Sequence, residues 1–414
     1  MYVRGLAQRL VAMGQACAIA APGAETAQYE QGGLQVFRFA GDPRPRLDLA
    51  YGAPDEIAAA GFAAIVERVR PRIVHLHART AAVSERLMDI AHAAGATVVF
   101  TYHTPTVSCI RGTMMLFGEA PCDGVVRTSR CTACALTGHG APRPVAWLAA
   151  ALPGAVTRGV PWPRLRIPAL MADAQARILS FLAKADHVVA VSQWVREVLA
   201  RNGVPAAKIT VSRQGVDLQT SPPPAAARPA GAGLRIAYFG RIDPTKGPDL
   251  LALAIAQVKN PDVRIDIYGI DQAGGAGPTH ACLARQAAQD PRLRLLPSVE
   301  AAAVTGVMAG YDLVAIPSRW LETGPLVALE AFAAGVPVLG ARLGGIAELV
   351  RDGVDGVLVA PDDAAAWAAA IEQLAADPGR IEALRQGITA PRTMDASARD
   401  MAALYERILA SAGA

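Results

Sequence analysis

At 414 residues the chain exceeds one ordinary hydrophobic core and points to two domains of about 200 residues each. Its hydrophobic share of 52% is rich in alanine, and no run of about 18 uninterrupted apolar residues exists to span a bilayer. A formal charge of +4 is too small for this length to mark a nucleic-acid footprint, so nucleic acid is excluded as a partner.

The start of the chain imitates a signal peptide, because Arg4 and Arg9 precede the small apolar run LVAMGQACAIAAPGA. Helical spacing of Leu6, Ala7, Leu10 and Val11, a stop at Gly14 and a strand in ACAIAAP argue instead for a folded beginning. Six cysteines, four of them clustered, do not make a secreted disulfide framework. A cytoplasmic location is the expectation.

In chain order, the pattern predicts a helix over 2–13, a strand over 16–21, a helix over 56–69, a strand over 72–77, a helix over 81–94 and a strand over 96–102. An irregular stretch follows. Beyond it come a helix over 171–185, the strand HVVAVS (187–192), a helix over 193–202 and the strand KITVSRQ. Alternation of this kind implies a parallel sheet with crossover helices. The run TSPPPAAARPAGAG sustains neither helix nor sheet and marks a linker over 219–233 between a first domain (1–218) and a second (234–394).

The second domain repeats the scheme, with strands near 234–239, 263–268, 293–296, 313–316, 336–339 and 356–359. Asp362 or Asp363 caps an alanine-rich helix that ends near 376, and a last helix covers 395–411. Ligands of such a sheet are expected at the carboxyl ends of its strands.

Two segments in this half carry chemistry. LRIAYFG ends at Gly240 and is followed by Arg241, Asp243, Pro244, Lys246 and Gly247: a strand, a glycine turn and two cations suited to a departing diphosphate. ETGPLVALE places Glu322 and Glu330 eight apart around a Gly-Pro turn that opens an apolar helix. A turn feeding a helix aims N–H groups at one spot and favours an anion, while ionised glutamates accept hydrogen bonds from hydroxyls. Each has a bland alternative, a solvated cation pair or a charged helix residue facing water.

Together these residues resemble the family 4 retaining glycosyltransferases, which have the two-domain GT-B fold: α/β, two Rossmann-like domains facing a central cleft. The resemblance is carried by GRIDPTKG (240–247), PSRWLETGPLVALEAFAAGVPVL (317–339), GGIAELVRDGVDGVLV (344–359), TYHTP and SRQGVD. It implies transfer of a sugar from a nucleotide-diphosphate sugar to a glycan, lipid-linked or small-molecule acceptor. In the family's pattern Arg241 and Lys246 contact the donor diphosphate, Gly240 lies in the turn beside them, and the backbone around Gly324 and Leu326 meets sugar and phosphate. Pro325 has no N–H to give. Glu322 takes the donor sugar hydroxyls, Glu330 the ribose, and His103 faces the donor from the first domain. That last position is also open to a loop histidine bonded to a carbonyl. His75 and His77 alternate on the strand IVHLH and suit packing and local bonding, with His77 an acceptor-side candidate.

No Asp-x-Asp follows a strand to hold a divalent ion against a diphosphate, so the expected transfer uses no catalytic metal. Cys109, Cys122, Cys131 and Cys134 occur as Cys-x12-Cys-x8-Cys-x2-Cys. They suit a closed structural zinc site, with an iron–sulfur centre and four unliganded thiols as the alternatives. Residues 141–177 interleave Trp147 and Trp162 with Arg143, Arg158, Arg164, Arg166 and Arg177, which suits peripheral membrane contact or a helical excursion packed on the first domain.

One departure stands out. Family members usually begin with a strand and a glycine-rich loop ahead of the helix that here starts at Met1, and the resemblance then implies either an upstream start or impaired activity. A noncatalytic nucleotide-sugar-binding protein on the same scaffold, and an epimerase, are the rival readings; the intact Arg241, Lys246, Glu322 and Glu330 argue against the first.

Overall fold

The structure is a computed structural model and describes residues 2–44, 46–152, 157, 166–217, 233–270 and 277–412. The expected linker over 219–233 lies, apart from Gly233, outside the described residues, as do Trp162, Arg158 and Arg164. Two compact units are present: Met1–Arg213 together with Met394–Ala414, and Gln214–Thr393.

In the first unit β1 (Ala18–Gly23) pairs parallel with β3 (Leu34–Ala40), and β2 (Ala27–Gln31) pairs antiparallel with β3. Next come β4 (Ile73–Leu76), β5 (Thr97–Tyr102), the two-residue strands β6 (Met115–Leu116) and β7 (Ala120–Pro121), then β8 (His187–Ala190) and β9 (Ile209–Val211). β4, β5, β8 and β9 form one all-parallel sheet in that order. The unit's long strands thus fall into two sheets where one was expected, because β1 bonds only to β3 and β4 only to β5 among the described residues. The hairpin of β2 and β3 is also new: β2 is exposed throughout and polar, so it carries no burial signal.

The central strands read as apolar runs because both faces are covered. Val98, Phe100, Val188 and Ala190 are buried with Phe181 and Ile178 of the helix Ile167–Lys184, and the Phe100 and Phe181 rings meet edge to face at 4.9 Å. On the opposite face Val99 and Val189 join Leu6 and Leu10 of the helix Tyr2–Ala12 and Met394, Ala398 and Met401 of the helix Met394–Ala412. The spacing 394, 398, 401 is one helical stripe, which is why the last helix docks here.

The second unit holds one six-stranded parallel sheet in the order β12-β11-β10-β13-β14-β15, with β10 Arg235–Arg241, β11 Arg264–Ile270, β12 Leu293–Leu296, β13 Leu313–Ile316, β14 Val338–Ala341 and β15 Gly356–Val359. The chain leaves β10 toward β11 and β12, then returns to the other side of β10 as β13. This reversal makes a topological switch point between β10 and β13, where an open α/β sheet leaves a crevice at its strand carboxyl ends. Asp363 caps the helix Ala364–Ala376 by accepting from the Ala366 amide at 3.0 Å.

Met401 is fully buried in the cluster that ties the last helix to the first. Met401→Ala is expected to cost about 2–5 kcal/mol, read as a lower urea midpoint for the first unit. An unchanged midpoint would show that this contact contributes nothing.

Candidate functional site

The two segments singled out in the sequence leave the sheet side by side. β10 ends at Arg241, and the loop to the helix Pro248–Ile255 carries Asp243 and Lys246; β13 ends at Ile316, and the loop to the helix Leu326–Ala333 carries Ser318, Trp320, Glu322 and Gly324. Both loops therefore open at the switch point.

Asp243 shapes the first loop. Its Oδ1 accepts from the Thr245 amide at 2.9 Å, the Lys246 amide at 3.2 Å and the Thr245 hydroxyl. The side chain is thus a local template for the turn. Oδ2 lies 3.2 Å from the Arg241 guanidinium and holds it at the strand end. Tyr238 contributes too, donating its hydroxyl to the Arg241 carbonyl at 2.6 Å.

The loops are stitched together. Arg319 donates its amide to the Thr245 carbonyl at 2.8 Å, a guanidinium N–H to the Pro244 carbonyl at 3.3 Å, and pairs with Asp249 at 2.7 Å. Gly247 has φ of +67°, and a Cβ there would lie 2.2 Å from the Pro317 carbonyl oxygen, so only glycine permits this approach.

Lys246 then reaches across. Its Nζ donates to Glu322 Oε1 at 2.7 Å and sits 5.1 Å from the centre of the Trp320 ring. Ser318 donates its hydroxyl to the same Oε1 at 2.7 Å. Glu322 is only 6% exposed, so a carboxylate there needs both partners. The Trp320 indole Nε1 is buried beside this pair and has no hydrogen-bond partner among the described residues. From a third side Gly344 and Gly345 pack on the turn: the Gly345 amide donates to the Glu322 carbonyl at 2.6 Å, and a Cβ at Gly344 would come within 2.9 Å of Leu321 Cα.

Pro325 caps the helix Leu326–Ala333 without a donor, and the Ala328 amide donates back to the Pro325 carbonyl at 3.1 Å, so the amides of Leu326 and Val327 are the ones that open the helix. Glu330 lies one turn further along, on the face below Leu326. Burial raises its carboxyl above the ordinary range. Gly240 is the penultimate residue of β10, opposite Gly269 of β11. This arrangement offers two cations, a helix start and two carboxylates around one strand junction, a set that can grip an anion and polyol hydroxyls together.

A model of the family described as Glycosyltransferase Family 4 matches residues 1–220, more than half of the chain. The chain belongs to glycosyltransferase family 4. A second model, Glycosyl transferases group 1, matches residues 233–377 of this family 4 chain. D-inositol 3-phosphate glycosyltransferase of Mycobacterium sp. (strain KMS) is 36% identical over 217 residues, 50% of this chain and 48% of that protein. The enzyme of the same name from Nocardia farcinica is 35% identical over 222 residues, 50% of this chain and 49% of that one. The chain therefore spans about half the length of the curated relatives it matches. Among solved structures, sucrose-phosphate synthase from Thermosynechococcus elongatus superposes with a TM-score of 0.70 at 21% identity, covering 99% of this chain and 93% of that one. Anabaena HepE in complex with UDP gives 0.60 at 19% identity, covering 91% and 87%. These likenesses show the fold: the family 4 chain has the α/β GT-B architecture.

Of the predicted residues, the structure brings Lys246 and Glu322 into contact, places Arg241 at the adjoining strand end, and sets Gly324, Pro325, Leu326 and Glu330 on the turn and helix that follow. His103 belongs to the other unit. Trp320, Arg319 and Gly345 escaped the sequence reading as functional groups. Their contacts are tertiary, and only the glycine pair at 344–345 left a local signal.

The zinc expectation finds no support. Cys109, Cys122, Cys131 and Cys134 do line one cavity of about 30 Å³, yet among the described residues no set of three or more His, Cys, Asp or Glu side chains is arranged to hold a metal ion. Sulfurs are engaged locally instead: Cys134 accepts from the Phe117 amide at 3.1 Å, Cys131 from the Arg127 amide at 3.4 Å, and Cys122 donates toward Asp123 at 3.7 Å. Burial pushes the Cys122 and Cys131 thiols up in pKa. Cys131 and Cys134 also lie on a helix, Thr128–Gly138, within what the sequence presents as an irregular stretch.

No helix among the described residues is long and apolar enough to cross a membrane. Around the basic stretch, the helix Arg143–Ala151 exposes Val145, Trp147 and Leu148, while Arg143 is taken up by Glu119 at 3.1 Å and by the Phe117 ring.

Two outcomes follow from the geometry. Lys246→Met and Glu322→Gln are expected to couple by about 1–3 kcal/mol in a double-mutant cycle of thermal stability, since each single change strands its partner; additive effects would mean the pair is not formed. Because the folded protein retains the Glu330 proton to higher pH than the unfolded chain, this group's contribution to stability falls as pH rises from the ordinary carboxyl range through its raised folded value. Ligand-free Glu330→Gln should therefore melt higher than wild type at neutral pH and equal to it well below the carboxyl range. A lower melting temperature at neutral pH would contradict this.

Proposed function

We propose that the chain is a retaining glycosyltransferase that moves a sugar from a nucleotide-diphosphate sugar to an acceptor hydroxyl without a catalytic metal. One observation carries the reading: at the switch point of the second unit, a buried carboxylate and a lysine from adjacent strand exits meet at 2.7 Å beside a helix start. The solved complexes of Anabaena HepE with UDP and with UDP-glucose make uridine diphosphate sugars the first donors to test.

In this reading the donor diphosphate lies against Arg241, Lys246 and the first-turn amides from Leu326, which stabilise the charge that grows as it departs. Glu322 accepts from the donor sugar hydroxyls and Glu330 from the ribose. The bond between the anomeric carbon and the phosphate oxygen breaks while the acceptor oxygen bonds to that carbon on the same face. The acceptor proton passes to the departing phosphate oxygen, so no enzyme nucleophile is required. His103 keeps the donor-directed role that the family's pattern gives it, and its own replacement by alanine tests that role separately. The acceptor is a glycan, a lipid-linked sugar or a small molecule, and a cytoplasmic place, peripheral to the membrane for a lipid-linked acceptor, follows from the donor pool.

Turnover of a panel of nucleotide sugars tests this. Lys246→Met and Glu322→Gln should each lose about a hundredfold or more in kcat/KM while remaining folded, and chelator should leave the wild-type rate unchanged. Wild-type turnover in both variants would sink the assignment, and nucleotide-sugar binding without any transfer would favour the noncatalytic rival.

A further inference from the structure

The carboxyl end of β4 holds a group of polar side chains that the proposed chemistry does not use. β4 stops at Leu76, His77 follows with its Nδ1 3.0 Å from Nε2 of His103, and Arg79 comes two residues later. The Arg79 guanidinium reaches between two elements. Its central carbon lies 5.9 Å from the centre of the Phe181 ring, and its Nη2 is beside Gly52, where a Cβ would come within 3.3 Å of it. Arg177 stands one turn before Phe181 on the helix Ile167–Lys184, so the two share a face of that helix. Arg177 Nε is 4.0 Å from Oε1 of Glu85, the first residue of the helix Glu85–Ala93, which is too far for a hydrogen bond. Ser84 occupies the cap position of that helix, yet its hydroxyl accepts from no helix amide.

Hydrogen bonds are missing throughout this group. Arg79 Nε, Arg177 Nη1, Glu85 Oε2 and Ser84 Oγ are all buried, and none has a partner among the described residues. Arg79 makes no hydrogen bond or ion pair at all among them. Buried polar atoms are paired in the great majority of cases, so four orphans at one spot call for a reason. The neighbouring acids do not supply it: Asp55 commits its carboxylate to the amides of Asp42, Ile57 and Ala58, and Glu56 lies 3.5 Å from Arg86. Burial lowers the pKa of Arg79, Glu85 opposes that shift and Arg177 adds to it, so the three charges act on one another. Two guanidiniums against one carboxylate leave a positive charge without a counter-ion. Glu85 has a local reason for its place, the first turn of a helix, but neither arginine has one. Arg79, Arg177 and Glu85 are each partly exposed, so the cluster borders solvent.

The unused valences describe their ligand. Two planar guanidiniums offer only donors and suit an oxyanion, a carboxylate offers only acceptors and suits a hydroxyl, and the Ser84 hydroxyl serves either. We infer that Arg79 and Arg177 form an oxyanion site with Glu85 and Ser84 as hydroxyl contacts, and that the acceptor is an acidic polyol bearing a carboxylate or a phosphate monoester beside free hydroxyls. The carboxyl edge of the first unit's sheet is where an open α/β sheet presents groups to a ligand, and His77 and His103 adjoin the cluster there. Calling the ligand an acceptor rests on the proposed transfer; the oxyanion site itself does not.

Calorimetric titration of the chain with glucose, glucuronate and glucose phosphate tests the site without turnover. Both anions should bind about tenfold or more tighter than glucose, the worth of one charge-assisted hydrogen bond, and the tighter of the two names the anionic group. Arg79→Met, which keeps a flexible stem over Phe181, and Arg177→Met should each remove that preference, and Arg79→Lys should keep part of it. Equal affinity for all three sugars in wild type, or an unchanged preference in both methionine variants, would overturn the inference; the second result would put the anion on Arg241 and Lys246 instead. Ligand-free Arg79→Met should melt no lower than wild type, because no hydrogen bond is lost, and a lower melting temperature would make Arg79 a structural residue and overturn its role here. With a nucleotide sugar that the chain turns over, Arg79→Met should raise KM for the charged acceptor about tenfold and leave donor KM unchanged. A matching rise in donor KM would overturn the acceptor assignment. If anion binding depends on Arg79 and no nucleotide sugar is turned over, the proposed function fails and the site stands; transfer to neutral acceptors alone would do the reverse.

Discussion

A carboxylate buried in a protein needs a cation and a hydrogen-bond donor at hand, and Glu322 finds both only because β10 and β13 are neighbours. Lys246 leaves the first of these strands and Glu322 the second, so their contact exists as a consequence of strand order. The rest of the site depends on that closure. Arg319 stitches the loops at their bases, Gly247 lets them approach, and Gly345 holds the turn from behind. Without a ligand the two site charges satisfy each other, which allows the site to be buried and still built from ions. A diphosphate would compete for Lys246, and donor hydroxyls would replace it on Glu322. In the proposed reading the same groups serve stability in one state and recognition in the other.

Glu330 shows the opposite economy. Its carboxyl is desolvated with its proton held above the ordinary range, so the fold tolerates it at a cost. A structural residue at that position would be better replaced by a neutral one. Its presence fits a site that is completed by hydroxyl groups brought from outside, in line with the common trade between stability and activity.

The parts of the fold that were legible in the sequence are those whose signal is local. Leu313–Ile316 and Gly356–Val359 are short buried strands bounded by turns, and their limits coincide with the apolar runs. Both chemical motifs were readable because a strand, a glycine turn and charged residues adjoin in sequence. β2 was not, since an exposed strand such as AQYEQ has no apolar face to show. The helix Thr128–Gly138 was hidden by threonine, serine and cysteine, whose helix propensity is poor and whose stripe is weak. The splitting of the first unit's strands into two sheets could not be read either, because alternation of helix and strand predicts crossovers and says nothing of which edges pair. Trp320 beneath Lys246 and the bond between His77 and His103 are contacts across the fold, invisible to spacing. Four cysteines in sequence suggested one ligand shell; the structure shows a shared cavity with sulfurs bonded to separate neighbours.

The central claim is that the exits of β10 and β13 together hold an activated sugar through its diphosphate. A crystal structure of the chain with a nucleoside diphosphate tests it most directly. The account predicts the terminal phosphate within hydrogen-bond reach of Arg241, Lys246 and the amides that open the helix Leu326–Ala333, with the ribose at Glu330. A diphosphate bound away from these groups, with Lys246 still on Glu322, would contradict it.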